Sequence, residues 1–333
     1  MVSAVLADIA GMKTTAMVFA MVVGGSVLIG LLQLLDIDAG WNARVMLGRF
    51  QGEDMSTNTS FLHGRPLGLA FSPIQFATHA ALAFAVYAAA REQGRGLIDR
   101  KPDADLLILM ALGALCVASI ICGTRSPILG AVVFFLIYAL RRPGSWLVLL
   151  IMLAGVALYL VGPLLLEAFQ SAQPRVLRTD DNSATGRGSL FSLGVVLFTE
   201  NPLGYGLAFS PKDHWAAYWH ELYTLANPSV IKEAELHNYV LNMINTYGIG
   251  LILTAPVVYQ LLWRGRNMIM FYIPYIVHIM FHNSGPFWND TLFWFTIAAL
   301  SAPVLQRGRA DDESGSADYN IGGSADGRRF LPR

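Results

Sequence analysis

Charge is what this chain has least of. Lys and Arg number 23 and Asp and Glu 23 in 333 residues, 14% together, against 54% hydrophobic residues. Soluble domains carry roughly a quarter charged residues, so the balance argues against a soluble globular class and for a membrane protein. The formal net charge is zero, which removes any electrostatic case for a nucleic-acid partner. Cysteine is nearly absent. Cys116 and Cys122 share one apolar stretch in a pattern that suits neither a disulfide framework nor a zinc site. They read as buried free thiols. A Gly-rich phosphate loop, a nucleophile elbow, a paired-carboxylate motif and an internal repeat are also missing. The Gly-Tyr-Gly at 204–206 follows Glu-Asn-Pro-Leu, so it makes no case for a potassium filter.

Long apolar runs are what the chain does have. Spanning candidates lie at 14–35, 67–90, 105–122, 126–140, 145–166, 237–262, 268–282 and 287–305. The first is longer than a signal-peptide core and has no clear cleavage site. Gly-Thr-Arg-Ser-Pro at 123–127 separates the third run from the fourth, because Gly and Pro oppose one continuous helix. The expected fold is an all-α polytopic membrane protein of about eight transmembrane helices.

Basic residues set the orientation. Arg91, Arg95, Arg100 and Lys101, then Arg141 and Arg142, then Arg264 and Arg266, and finally the Arg-Gly-Arg at 307–309 fall on alternate connections. They can all face the cytoplasm together with both termini. The outer side then holds a segment at 36–66, a long loop at 167–236 and a short connection at 282–290. The long loop is too large for a mere connector. Within it, 188–200, "GSLFSLGVVLFTE", has the apolar content of an interfacial helix. Residues 1–306 form the expected transmembrane domain, and 307–333, rich in Gly, Ser and Asp, a disordered cytoplasmic tail.

This orientation leaves Arg44, Arg49, Arg65, Arg125, Arg175, Arg178 and Arg187 facing outward, against the positive-inside bias. Arg125 is the sharpest case, in a tight turn between two spans. Its guanidinium either snorkels to the interface or joins other arginines at a phosphate-bearing ligand, whose oxygens suit a bidentate fork. Arg187 precedes the candidate interfacial helix, whose N-terminus would also favour an anion. His237 and Asn238 open an apolar run. An interfacial role is one reading of His237 and proton transfer near neutral pH the other, with Asn238 placed to orient a ligand hydroxyl. Glu235 is off the helical spacing that would couple it to His237, and Glu233, four residues before it, is given only a minor role. Trp215 and Trp219, with Tyr218 and Tyr223, either anchor the long loop or stack on sugar faces. His278 and His282 share a face at i, i+4 without a metalloprotease glutamate, so no metal site is expected there and His278 is expected to be dispensable.

The order of several short motifs resembles the bacterial O-antigen ligase and O-antigen polymerase superfamily. "ATGRGSLF" at 184–191 is similar to its Thr-Gly-Arg-x-x-Leu-Trp element, with Phe191 for Trp. "NPLGYG" at 201–206 resembles its Pro-x-Gly-x-Gly turn, and "LHNYVLNMINTYGIGL" at 236–251 its His-Asn element followed by a Gly-x-x-Gly span. "GTRSPILGAVVFFLIYAL" at 123–140 is similar to its Ser-Arg-Ser stretch, and "GRPLGLAFSPIQFATHAAL" at 64–82 to a looser upstream pattern. The resemblance covers about residues 60 to 300. Members of the group have more spans at the N-terminal end, so the resemblance implies either a truncated member or one whose gene start is misplaced, with room for missing donor-binding helices.

The resemblance implies a metal-independent, inverting glycosyltransferase at the periplasmic face of the bacterial inner membrane, with no cofactor. Its donor would be a glycan on undecaprenyl diphosphate, and its acceptor another glycan, a lipid A core or a protein hydroxyl. It implies Arg187 and His237 as catalytic residues, Arg65, Arg125 and Arg187 as diphosphate ligands, and Asn238, Trp215 and Trp219 on the acceptor side. The alternative is a transporter or exporter of anionic precursors without covalent chemistry. The pseudo-repeats expected of that class are missing. An inactive assembly partner is a third reading.

Overall fold

The computed structural model describes residues 12–55, 58–62, 64–93, 102–141, 182–232, 235–254 and 269–282, together with Pro256, Leu292, Phe293 and Thr296. All regular structure among them is helical. The longer helices are α1 (Met12–Leu34), α2 (Asp38–Gln51), α3 (Pro73–Gln93), α4 (Pro102–Ile121), α5 (Ser126–Arg141), α6 (Asn182–Glu200), α7 (Tyr239–Tyr247) and α8 (Ile273–Ile279).

Among the described residues, two helices are long and apolar enough to cross a membrane, over Thr14–Leu34 and Pro73–Glu92. Shorter apolar helices occupy Asp105–Ile121, Ser126–Arg141, Tyr239–Leu253 and Met270–Ile279. The expected runs at 145–166 and 287–305 lie outside the described residues or touch them only at isolated positions, as does the tail at 307–333. An all-helical architecture is therefore observed, whereas two spans are clear where about eight were expected.

Helix α3 is the hub. Ala77, Ala80, Ala81, Ala83, Ala85, Ala88, Ala89 and Ala90 are all buried on it, and α1, α4 and α8 pack against it. Small side chains let neighbouring backbones approach, which matters in lipid, where apolar surface gains little by leaving the acyl chains. The opposite faces are apolar too. Met17, Met21, Val22 and Leu28 on α1, Met110 and Val117 on α4, and Val132, Leu136 and Leu140 on α5 are all exposed. Surfaces of this kind match a lipid surround and would be a liability in water.

Two corrections concern the connecting segments. The stretch 36–66 contains a full helix, α2, rather than a loop. Its Arg44 is completely buried, donating from Nε to the Ala70 carbonyl at 2.9 Å and pairing with Glu53. Gln33 on α1 is equally committed. Its Nε2 donates to the carbonyls of Gly40 and Gly68, and its Oε1 accepts from the Leu67 and Gly68 amides. Arg44 thus works as a structural pin and is not part of an arginine cluster. The second correction is that α6 starts at Asn182 instead of 188, which puts Arg187 within the helix and not ahead of it. No proline interrupts 182–188, and Gly186 packs so closely on Val230 that a side chain there would press on it.

Apolar packing divides into two clusters. The larger gathers α1, α3, α4, α5 and α8, and the smaller gathers α6 with the 222–241 segment. Helix α7 bridges them, because Tyr239 and Met243 face the larger cluster while Leu241 faces the smaller.

Candidate functional site

Within the run expected to span at 237–262, α7 is followed directly by a 3-10 helix over Gly248–Thr254, and 257–262 lies outside the described residues. Asn238 caps α7, its Oδ1 accepting from the Leu241 amide at 2.9 Å, as a good N-cap residue does. Gly248 ends it at φ 58 and ψ −151, a backbone region suited to glycine. The 201–206 turn docks there. Tyr205 and Gly206 donate their amides to the carbonyls of Asn245 and Thr246 at 2.8 and 2.9 Å, and Ile249 returns one to Pro202. Gly204 and Gly248 meet so closely that a side-chain carbon on Gly204 would lie 2.5 Å from the Gly248 nitrogen. The two glycine motifs noted in the sequence are therefore halves of one junction.

A second junction fixes α6 against α7. Asn245 is fully buried and donates to the Gly194 carbonyl at 2.9 Å. A methyl group on Gly194 would overlap the Leu241 side chain. Tyr205 adds a bond from its hydroxyl to the Leu197 carbonyl at 3.1 Å. Its phenol is pushed up to about 12 by burial and by Tyr218, so it stays a donor.

These junctions hold Arg187 and His237 in one neighbourhood. Both lie close enough to His282 to act on it electrostatically, and Arg187 acts on His278 as well. His237 is half-buried, and its Nδ1 lies 2.8 Å from the Glu235 carbonyl. A carbonyl only accepts, so Nδ1 carries the hydrogen and Nε2 keeps its lone pair when the ring is neutral. Sequence reading assigned the Glu233 and Glu235 carboxylates only a minor role at His237. In fact the backbone of Glu235 orients the ring, and its carboxylate pairs with Lys212 at 3.2 Å.

The 122–126 turn supplies the other wall. Gly123 adopts φ 68, and Thr124 donates its amide to the Ser119 carbonyl at 2.9 Å, closing α4. Arg125 follows, exposed, and Ser126 begins α5 with Pro127 in the first turn, where proline is well tolerated. Arg65 is near enough for its charge to be felt at Cys122. Helix α8 packs closely on α5, for Gly130 has only backbone of Pro274 opposite it. That contact brings His278 and His282 to Ser126, whose Oγ lies 2.8 Å from Nδ1 of His278 and 3.1 Å from Nε2 of His282. Thus the charge of Arg187 is felt at both histidines that touch Ser126, the neighbour of Arg125, and that of His237 at His282.

Trp215 and Trp219 belong to the segment between α6 and α7. They meet edge to face with ring centroids 5.5 Å apart, and the Lys232 ammonium sits over both rings, 4.3 Å from the Trp219 centroid. Trp215 also packs on the smaller apolar cluster.

Sequence reading missed Ser126 and the use made of His278 and His282. The i, i+4 histidine spacing was visible, but their common partner is more than 150 residues away along the chain.

Apolar outer faces and helices as the regular structure of the described residues suit the class of membrane-embedded helical proteins. Comparison with known proteins narrows it. Residues 107–255 match the family model Wzy_C, described as O-antigen ligase. That match supports the superfamily resemblance read from the motifs, and it suggests glycan transfer of the ligase or polymerase type. The matched stretch contains Arg125, Arg187 and His237. No curated protein and no solved structure matches the chain.

Proposed function

We propose that the protein transfers a glycan from an undecaprenyl-diphosphate donor to an acceptor hydroxyl at the periplasmic face of the inner membrane. The observation that carries this reading is the orientation of His237. Its Nδ1 hydrogen is engaged by the Glu235 carbonyl at 2.8 Å, which leaves Nε2 as a base, in the same neighbourhood as Arg187.

In the reaction, Nε2 of His237 takes the acceptor hydroxyl proton as the oxygen attacks the anomeric carbon. The bond from that carbon to the diphosphate breaks, and its electron pair leaves with the diphosphate. Attack opposite the leaving group inverts the anomeric centre. Arg187, with Arg125 and Arg65 at the facing turn, stabilises the charge that develops on the leaving oxygens, an effect worth several kcal/mol in a water-poor site. Arginine thereby fills the role a divalent metal fills elsewhere, and the mechanism uses no metal or cofactor. Asn238 is committed through its Oδ1 to the α7 cap, so its part in acceptor binding falls to its amide N–H.

The test is release of undecaprenyl diphosphate from a lipid-linked glycan by the purified protein in lipid, with and without acceptor. Arg187→Ala and His237→Ala are each expected to slow release on the order of 100-fold or more while the protein still inserts. Unchanged release in both would sink the mechanism.

A further inference from the structure

His282 stands at one end of a hydrogen-bond chain that begins at a backbone carbonyl. Thr78 Oγ1 lies 2.9 Å from the Ile74 carbonyl and 3.0 Å from Nε2 of His278. Ser126 Oγ then joins Nδ1 of His278 to Nε2 of His282. With both rings neutral, only one set of directions satisfies every link. The Ile74 carbonyl can only accept, so it takes the single Thr78 hydroxyl hydrogen. Thr78 must then accept from His278, which puts that ring's hydrogen on Nε2 and leaves Nδ1 as an acceptor. Ser126 therefore donates to His278 and accepts from Nε2 of His282. What remains at the end is Nδ1 of His282, a lone pair and no hydrogen.

That atom is buried, in a side chain only 3% exposed, and has no hydrogen-bond partner among the described residues. Burying an acceptor unsatisfied costs on the order of 1–3 kcal/mol, so this lone pair is a place where an added donor hydrogen would be stabilising. Arg187 and His237 both reach it electrostatically. A phosphate oxygen cannot fill the place, because it has no hydrogen to give. A sugar hydroxyl or amide N–H can.

We infer that Nδ1 of His282 accepts a hydrogen bond from a hydroxyl or amide N–H of the sugar attached to the donor diphosphate, making His282 a substrate-binding residue. The inference rests on the donor reading proposed above and extends it. Arg187 takes the diphosphate, and the adjoining sugar meets the histidine beside it. His278 and Ser126 act through His282 as positioning residues, since they set which nitrogen bears the hydrogen. His278 is then not dispensable, contrary to what the sequence suggested.

Two substitutions separate binding from support. His282→Gln keeps an N–H in reach of Ser126 but offers no acceptor where Nδ1 stood. His282→Asn places its Oδ1 near the Nδ1 position and gives up the bond to Ser126. The protein in lipid nanodiscs is titrated with undecaprenyl diphosphate and with undecaprenyl-diphosphate-linked N-acetylglucosamine, and thermal unfolding is followed alongside. Wild type is expected to bind the sugar-bearing lipid more tightly. His282→Gln should lose that preference, about 10-fold, with the bare lipid unaffected, and His282→Asn should retain most of it. Full retention in the Gln variant with loss in the Asn variant would assign His282 to holding Ser126 and overturn the inference, as would equal behaviour of the two variants. Equal binding of both lipids by wild type overturns it without any variant, so misfolding cannot shelter it. Wild type that binds neither lipid fails the donor reading itself, and the inference falls with it.

Discussion

Asn245 donates from Nδ2 to the carbonyl of Gly194 at 2.9 Å, joining the helix that carries Arg187 to the helix that follows His237. The bond is fully buried, and the missing side chain of Gly194 is what lets Leu241 lie across it. Gly194→Ala should force Leu241 aside and destabilise the protein by about 1–3 kcal/mol. Thermal unfolding in detergent checks this, with transfer activity expected to fall more steeply than stability. Unchanged activity would show that α6 and α7 need not be held in register.

Gly248 presents a harder limit. Its φ of 58 and ψ of −151, with the Leu203 carbonyl group packed against it, leave no space for a side chain. Gly248→Ala should open the junction with 201–206 and expose that turn to added protease, where the wild type resists. Equal resistance in the two proteins would contradict the close packing described.

Asn238 divides cap from ligand. Loss of an N-cap costs about 1 kcal/mol, and serine caps nearly as well as asparagine. Asn238→Ser is therefore expected to unfold like wild type and Asn238→Ala at lower temperature. If activity follows the cap, the serine variant stays active. If it is lost in both, the amide N–H touches substrate, as the acceptor role requires.

Arg44 is buried with its partner Glu53. Glu53→Gln leaves a buried guanidinium without a countercharge, a change that costs about 3–5 kcal/mol in fully enclosed pairs. Glu53 is 28% exposed, so the low end of that range is expected, read as reduced thermal stability. Stability equal to wild type would contradict a net contribution of the Arg44–Glu53 pair to folding.

What was legible in the sequence was whatever local pattern dictates. The first run, 14–35, matches a helix at Thr14–Leu34, and the Gly-Thr-Arg-Ser-Pro turn falls between α4 and α5 as its composition requires. The start of α6 was placed six residues late, because its polar first turn has no apolar periodicity to mark it. Helix α2 went unseen for a related reason: its buried side chain is Arg44, and burial of arginine depends on Glu53 and the Ala70 carbonyl, neither at helical spacing. The candidate site divides in the same way. Arg187 and His237 stood out as polar residues in apolar surroundings and by their motifs. The Ser126 link to His278 and His282 crosses more than 150 residues of sequence, so only packing of α5 on α8 reveals it.

The central claim is that His237 is the base for glycan transfer. Its most direct test is His237→Ala in a strain lacking the gene, with lipid-linked and surface glycans run on one gel. The account predicts surface glycan lost with carrier-linked glycan accumulating, as long polymer for a ligase or as single repeats for a polymerase. Surface and carrier-linked patterns identical to wild type would contradict it and leave His237 an interfacial residue.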